Sequence, residues 1–393
     1  MELMMSFTRI KAPKIFVSLS ALFFLNNAFA NDLIDYVRSN ILEHDPTTLQ
    51  TFNTRSWLAE PITASIMRWQ TQDNAIGSDE TELLFEFAFL TPKQHELLQS
   101  SKQLSHQYHV VQQQQVDLWI SGTIRQLFWE TQQAEVEQRF IKHTIDALKK
   151  MLATVELQVQ QKQSPKYAQL IIEQRLNSYN VELNKKQVEL QHFYRLWQQY
   201  TGQAQLPDTL EEPNSDSSNL THPSVQAIEL QWQLALLNAE NNAASQSTWR
   251  VTAGVKDIRS VAGTETQLGV GLAIPLTFSR TLSSLDLDAL QREQSDINTR
   301  LKTTVIDIQT RIAQRRSQYQ QLQQQVELAK QNASISSQAL DELDALYRQH
   351  QIDTKMYIER LIEQLNYQKF FQLTQVQLQM AKAQLNQAQG VSL

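Results

Sequence analysis

The sequence predicts a mainly α fold with a small β part, built as two repeats of a β-hairpin followed by a long coiled-coil helical hairpin. Three observations carry this. Heptad patterns dominate: Leu301, Val305, Ile308, Ile312, Arg315, Tyr319, Leu322, Val326, Ala329, Ala333, Ser336, Leu340, Leu343 and Tyr347 step by threes and fours without a break. Short alternating stretches interrupt the helical pattern, as in "ETQLGVGLAIPLTF" (265–278), where Leu268, Val270, Leu272, Ile274 and Leu276 share one parity. The chain has only eight glycines, and half of them fall in register: Gly390 lies 188 residues beyond Gly202, and Gly263 lies 186 beyond Gly77. A fixed offset of this size is the mark of an internal repeat.

The chain opens with Lys11 and Lys14 before an apolar run, "IFVSLSALFFL", that ends in "NNAFA". This is the order of a secretory leader, and the small residues Ala28 and Ala30 place cleavage after Ala30. The whole chain carries 35 Lys and Arg against 41 Asp and Glu, and loss of Arg9, Lys11, Lys14 and Glu2 leaves a mature net charge of −8. Nucleic-acid binding needs a basic face, which an acidic chain of this kind does not suggest. Cysteine is absent, so an exported chain must hold together by packing alone, with no lipidated cysteine. No later apolar stretch has the length of a membrane-spanning helix.

The first repeat (31–205) begins with a short lead-in segment and two alternating strands, about 62–70 and 80–90. In the second strand Leu83, Phe85, Phe87 and Phe89 share one parity, Glu82, Glu86 and Ala88 the other, and Leu84 breaks the pattern. A helical hairpin follows over about 92–201. Its first arm carries the seam Ile141, Ile145, Leu148, Leu152, Val155, Val159, and its second Leu176, Tyr179, Leu183, Leu190, Phe193, Trp197, interrupted at Lys186. The turn between the arms is "KQSPK", with Ser164-Pro165 as the stop signal, and Gly202 ends the second arm. A linker rich in Pro, Ser, Asn and Asp occupies 206–224. The second repeat (225–393) has a lead-in helix to about 244 and strands at about 248–258 and 265–278. Its helical hairpin, about 284–389, loosens at "HQIDTK". Trp249, Val251, Ala253 and Val255 share one face of the third strand, and Arg250, Thr252, Gly254 and Lys256 the other. Sustained heptads on paired helices imply a left-handed supercoil.

Two isolated hairpins are marginal in water. They are stabilised either as a small soluble cap on the helices or in lipid, with Leu83/Phe85/Phe87/Phe89 and Leu268/Val270/Leu272/Ile274 outward and Glu82, Glu86, Arg250 and Lys256 toward a wet lumen. Four strands cannot close a barrel, and open edges are not tolerated in lipid, so the second option needs further copies of the chain.

The order of elements then carries a resemblance. Strand hairpin, helix pair, Thr201-Gly202 and Leu206-Pro207, "HPS", a helix and the same pattern again resemble the TolC-like outer-membrane efflux proteins over essentially the whole mature chain. "GVGLAIPL" looks like the family's closing strand, and "YRQHQIDTKMYIERLIEQLNYQKFFQLTQVQLQMAKAQLNQAQG" its last helical segment. The compact size and the "IPLTF" transition look most like the heavy-metal branch of the cobalt-zinc-cadmium type. The resemblance implies a homotrimer with a twelve-stranded barrel in the outer membrane of a Gram-negative bacterium and a periplasmic helical tunnel. It further implies a periplasmic adaptor and an inner-membrane pump as partners, outer-membrane lipid around the barrel, and no nucleic acid. Metal cations or small toxic compounds would be the cargo. Two alternatives stay open: the outer-membrane component of protein secretion by an ATP-driven exporter, and a soluble periplasmic coiled-coil adaptor.

By the same resemblance the adaptor-contacting tips would be Lys162, Gln163, Ser164, Pro165 and Lys166, and His350, Gln351, Ile352, Asp353 and Thr354. The family usually carries glycine at the tips, where this chain has Lys162 and His350. Carboxylates often follow the family's second tip; Glu359 takes one such position and Met356 the other, which makes Glu359 the candidate tunnel gate. Read from spacing alone, Glu359 is a solvated helix-face residue. No catalytic constellation, cofactor motif or metal-ligand set is visible, so no enzyme is expected. His106 and His109 share a helix face, but two ligands do not make a metal site.

Overall fold

The structure, a computed structural model, describes residues 33–39, 57–72, 77–212, 222–245, 248–274, 284–349 and 351–393. The expected leader with its cleavage point after Ala30, most of the lead-in segment, 213–221 of the linker, 275–278 of the last strand and His350 lie outside the described residues.

Helical residues 33–39 (α1) precede strands β1 (Thr63–Trp69) and β2 (Ser78–Phe89). Helices α2 (Pro92–Gln160), α3 (Lys166–Thr201) and α4 (Pro223–Ser245) follow, then β3 (Trp249–Ser260), β4 (Gly263–Ala273), α5 (Ser284–Arg348) and α6 (Thr354–Ala388). Alternating stretches therefore form strands and heptad stretches form helices. β3 and β4 run closer to their shared turn than the parity pattern suggests. Val261 and Ala262 make a tight loop, and pairing continues to Ser260 and Gly263.

α2 starts where its sequence says it can. Thr91 accepts from the Gln94 backbone N–H (3.3 Å), the Thr91 N–H donates to the Gln94 side chain (2.7 Å), and Pro92 takes the first helical position. This capping box satisfies two orphan donors of the first turn. The 69 residues of α2 make a rod of about 100 Å, and α5 is nearly as long. Short helices line both rods: α4 packs on α2 and α5, α3 on α2, and α6 on α5 and α2. The heptad seams are the packed faces. Ile141, Ile145, Leu148 and Val155 of α2 meet Ile172 and Leu176 of α3, and Ile358 of α6 joins the same cluster, linking the two hairpins. Lys186, the interruption in the α3 seam, bridges Glu137 of α2 (2.6 Å) and Glu189 (2.8 Å), so charge pairing replaces an apolar contact there.

A second core lies midway along the rods. Leu33, Ile34 and Val37 of α1 pack on Ile120, Ile124, Leu127 and Phe128 of α2, with Trp197 and Leu210. The buried Trp197 indole donates to the Gln205 carbonyl (3.1 Å), tying the end of α3 to the following linker. Gly202 has φ 69°, and a Cβ there would lie 2.3 Å from the Tyr36 ring. Conformation and space both require glycine at this stop.

Candidate functional site

The four strands form one antiparallel sheet in the order β1-β2-β3-β4. Directly paired residues share a face, so the register fixes both surfaces. On one face Leu83, Phe85, Phe87 and Phe89 stand opposite Val255, Ala253, Val251 and Trp249. That row continues to Leu268, Val270 and Leu272 of β4, and to Ile66 and Ala64 of β1. The result is an apolar band about 20 Å tall along the strands. Beyond it, toward the turns, the same face becomes polar with Arg68, Asp79, Thr81, Asp257, Arg259 and Thr266. The band is open to solvent in the single chain: Leu268 is 83 % and Val270 85 % exposed.

The opposite face is charged and paired. Lys256 lies 2.6 Å from Glu80, and Arg250 lies 2.8 Å from Glu86 and 3.7 Å from Glu60. Leu84, out of pattern in the sequence, belongs to this face. It stands opposite Gly254, where a Cβ would meet the Leu84 Cδ1 at 2.9 Å. A large apolar side chain thus fills the space that a glycine leaves on the neighbouring strand. Among the described residues β1 and β4 are each paired on one side only, and every residue of β1 is exposed. A sheet with one apolar face and two free edges is a surface built for completion by other strands.

At the far end of the rods the structure brings the two tips together. Gln163, Ser164, Pro165 and Tyr167 line a cleft of about 680 Å³ with Ile352, Asp353, Thr354 and Lys355. The Ser164 and Gln163 amides both donate to the Gln158 carbonyl (3.2 and 2.8 Å), and the Gln351 amide donates to that of Leu346 (3.0 Å), so both turns close on their own helices. Asp353 caps α6 by accepting from the Met356 N–H at 2.6 Å. Lys162, Gln163, Pro165, Lys166, Gln351 and Asp353 are exposed, and Ser164, Ile352 and Thr354 half-buried. Glu359 is exposed on α6, next to Ile358 of the helix seam. His106 and His109 are exposed on α2.

Lys162 has φ 59°, a left-handed conformation that costs an L side chain roughly 1–2 kcal/mol. Lys162→Gly is expected to stabilise the chain by about 1 kcal/mol, less than the full strain because glycine gains freedom in the unfolded state. Thermal unfolding checks this, and a lower melting temperature would mean that Lys162 contacts outweigh the strain.

The sequence did not reveal a clamp beside the tips. Tyr347 and Tyr357 stack with ring centroids 4.5 Å apart, and the Tyr357 hydroxyl donates to Asp344. Burial, reinforced by the Asp344 carboxylate, holds the Tyr357 hydroxyl well above the usual phenol range. Tyr347 is visible in the heptad run, but its partner lies beyond a turn. Arg125 of α2, midway along the rods, was equally hidden. It pairs side-on with Glu212 (2.9 and 2.8 Å) and donates to the Gln387 side chain (2.7 Å) and the Val391 carbonyl (2.8 Å). Asn386 donates to the same Glu212 carboxylate at 2.9 Å. Beside this hub a cavity of about 460 Å³ is lined by Trp119, Trp129, Arg315, Met380 and Gln384, among others. The Trp129 indole N–H is buried there without a hydrogen-bond partner, with its ring edge-to-face on Phe128 at 4.9 Å.

No helix among the described residues is long and apolar enough to cross a membrane. No protein-family model matches the sequence, and no curated protein is significantly similar to it. Solved structures do match over nearly the whole chain. The outer membrane protein VceC from Vibrio cholerae superposes with a TM-score of 0.65 at 14 % identity, covering 95 % of this chain and 92 % of that one. CusC, studied for folding and transmembrane channel formation, gives 0.63 at 16 % identity, covering 95 % and 88 %. The Campylobacter jejuni outer membrane channel CmeC gives 0.63 at 11 % identity, covering 94 % and 82 %. The chain therefore has the TolC-like channel fold.

Proposed function

We propose that the chain is the outer-membrane exit duct of a tripartite efflux pump, has no catalytic chemistry of its own, and works as a homotrimer. The observation that carries this is the sheet: one apolar face exposed to solvent, one charged face, and two free edges, set on helical rods of about 100 Å. Three copies would close twelve strands into a barrel, which removes the edges and turns the apolar band to lipid. The paired helices would continue as a periplasmic tunnel. Energy would come from an inner-membrane pump, and a periplasmic adaptor would meet the tips, where the cleft between Pro165 and Asp353 offers the contact surface. The leader ending at Ala30 would deliver the chain to the periplasm.

The test is membrane fractionation followed by unboiled gel electrophoresis. A heat-sensitive trimer in the outer-membrane fraction is expected; a periplasmic monomer would overturn the reading. Within it, the cargo is assigned to metal cations, supported by the likeness of the "IPLTF" transition to the heavy-metal branch. A deletion strain should then become sensitive to cobalt, zinc or cadmium, and sensitivity to organic toxicants alone would reassign the cargo.

Glu359, exposed on α6 close to the second tip, is assigned to the gate. Three copies around one axis attract cations and repel one another as the tunnel closes. In planar bilayers Glu359→Ala is expected to raise resting conductance and weaken block by divalent cations. Unchanged conductance and block would remove it from the gate.

A further inference from the structure

On the reading that copies of this chain close the sheet into a barrel, we infer that Trp69 of one copy packs over a glycine of β4, Gly269 or Gly271, on the next copy and so locks the register between them.

The glycines pose the question. Gly269 sits inside β4, and a Cβ there would meet nothing within 4 Å. Its backbone is ordinary extended strand, so neither conformation nor packing in this chain calls for glycine. Gly271 is similar, since a Cβ would meet only the Thr252 side chain, whose hydroxyl can rotate away. Glycine inside a strand marks close approach by something else. Both residues lie on the charged face of the sheet, on its free edge.

The other free edge carries the complement. Met67 and Trp69 of β1 lie on that same charged face, opposite Glu82 and Glu80, and Trp69 is 60 % exposed. Large apolar groups on a polar face need a reason. The chain shows it once already, at Leu84 over Gly254, between neighbouring strands.

Barrel geometry brings the two edges together. The ladders place Ser65, Leu84, Gly254 and Gly269 on one level, and Thr63, Glu86, Thr252 and Gly271 on the next toward the helices. Strands in a closed barrel tilt by about 35–45°, which for twelve strands displaces each copy by roughly four to six residues against its neighbour. Only an even displacement keeps the apolar face on one side. The hand of strand twist, with the apolar face outward and the two-residue turn closing at Ser260 and Gly263, moves the point of contact on β1 of the next copy from Ser65 toward that strand's turn end. A rise of about four residues brings Trp69 opposite Gly269, and of about six opposite Gly271. Both permitted registers therefore set the tryptophan on a glycine. On β4 the charged-face residues hydrogen-bond to β3, which leaves them at non-hydrogen-bonded positions toward the new strand. There the side chains come closest, so a bulky ring needs glycine opposite.

The chain has no cysteine, so paired cysteines report without background. Trp69→Cys is combined with Gly269→Cys in one variant and with Gly271→Cys in another, and outer membranes are oxidised and run on non-reducing gels. One of the two pairs is expected to give covalent trimers that dithiothreitol releases, while Ser65→Cys with Gly269→Cys, level without displacement, gives none. In parallel, Trp69→Ala should lower the temperature at which the unboiled trimer dissociates, and Trp69→Phe should largely restore it. Cross-linking of the Ser65 pair, or a trimer that forms with neither Trp69 pair linked, overturns the lock and leaves the duct standing. Should the double variants not assemble, an unchanged dissociation temperature in Trp69→Ala overturns it. A monomer in every preparation of the native chain overturns both.

Discussion

Arg125→Ala is expected to destabilise the folded chain by about 3–5 kcal/mol, the usual cost of leaving one member of a buried ion pair alone. Arg125 and Glu212 are each only 4 % exposed at the side chain. Removing the guanidinium leaves a carboxylate with Asn386 as its remaining partner among the described residues, and strands the Gln387 side-chain oxygen and the Val391 carbonyl, while the Gln387 amide keeps its bond to the Leu118 carbonyl. Those groups sit at the C-terminus, where the Leu393 amide also donates to Ser121. The loss should therefore appear first as release of residues 389–393, seen as faster digestion by carboxypeptidase, and then as a lower unfolding midpoint. A double replacement, Arg125→Met with Glu212→Leu, removes both charges together. It should recover the part of the stability lost to the lone buried charge, because apolar pairs of similar volume commonly substitute for buried ion pairs, but not the part lost at the Gln387 oxygen and the Val391 carbonyl. If Arg125→Ala unfolds like the native chain, the hub is not what fastens the C-terminus.

Val270→Arg is expected to cost about 2–4 kcal/mol per chain if β4 faces the bilayer midplane. Val270 is 85 % exposed and touches little within its own chain, so in water the same change would be close to neutral. Gln267→Arg, three residues nearer the turn on the charged face, serves as the control and should cost well under about 1 kcal/mol, the small term of a like charge opposite Lys256. The measurement is urea unfolding of the trimer folded into lipid vesicles. Equal midpoints for Val270→Arg and the native chain would place the apolar band against protein or water rather than lipid.

Much of this architecture is legible along the chain because it rests on periodicity. A heptad seam such as Ile141, Ile145, Leu148 buries one helix face whatever the partner is. Alternation in β2 and β4 separates two faces whatever lies beyond them. The stop signal at Gly202 acts within a few residues. Leu84 and Lys186 broke their patterns and could only be noted as exceptions. Each is resolved by a residue on another element, Gly254 across the sheet and Glu137 across the helical hairpin. Of the candidate tip residues, the spacing located both turns, but the shared cleft depends on two hairpins meeting side by side.

The sequence by itself determined the succession of hairpins, which face of each strand is apolar, and where the long helices stop, because local backbone preference and hydrophobic period act over a handful of residues. The tertiary structure alone decided that all four strands join one sheet with free edges, that the tips share a cleft, and that Arg125 meets Glu212 and Val391. Those partners lie 87 and 266 residues away, and no local pattern can encode which distant group will satisfy a buried charge.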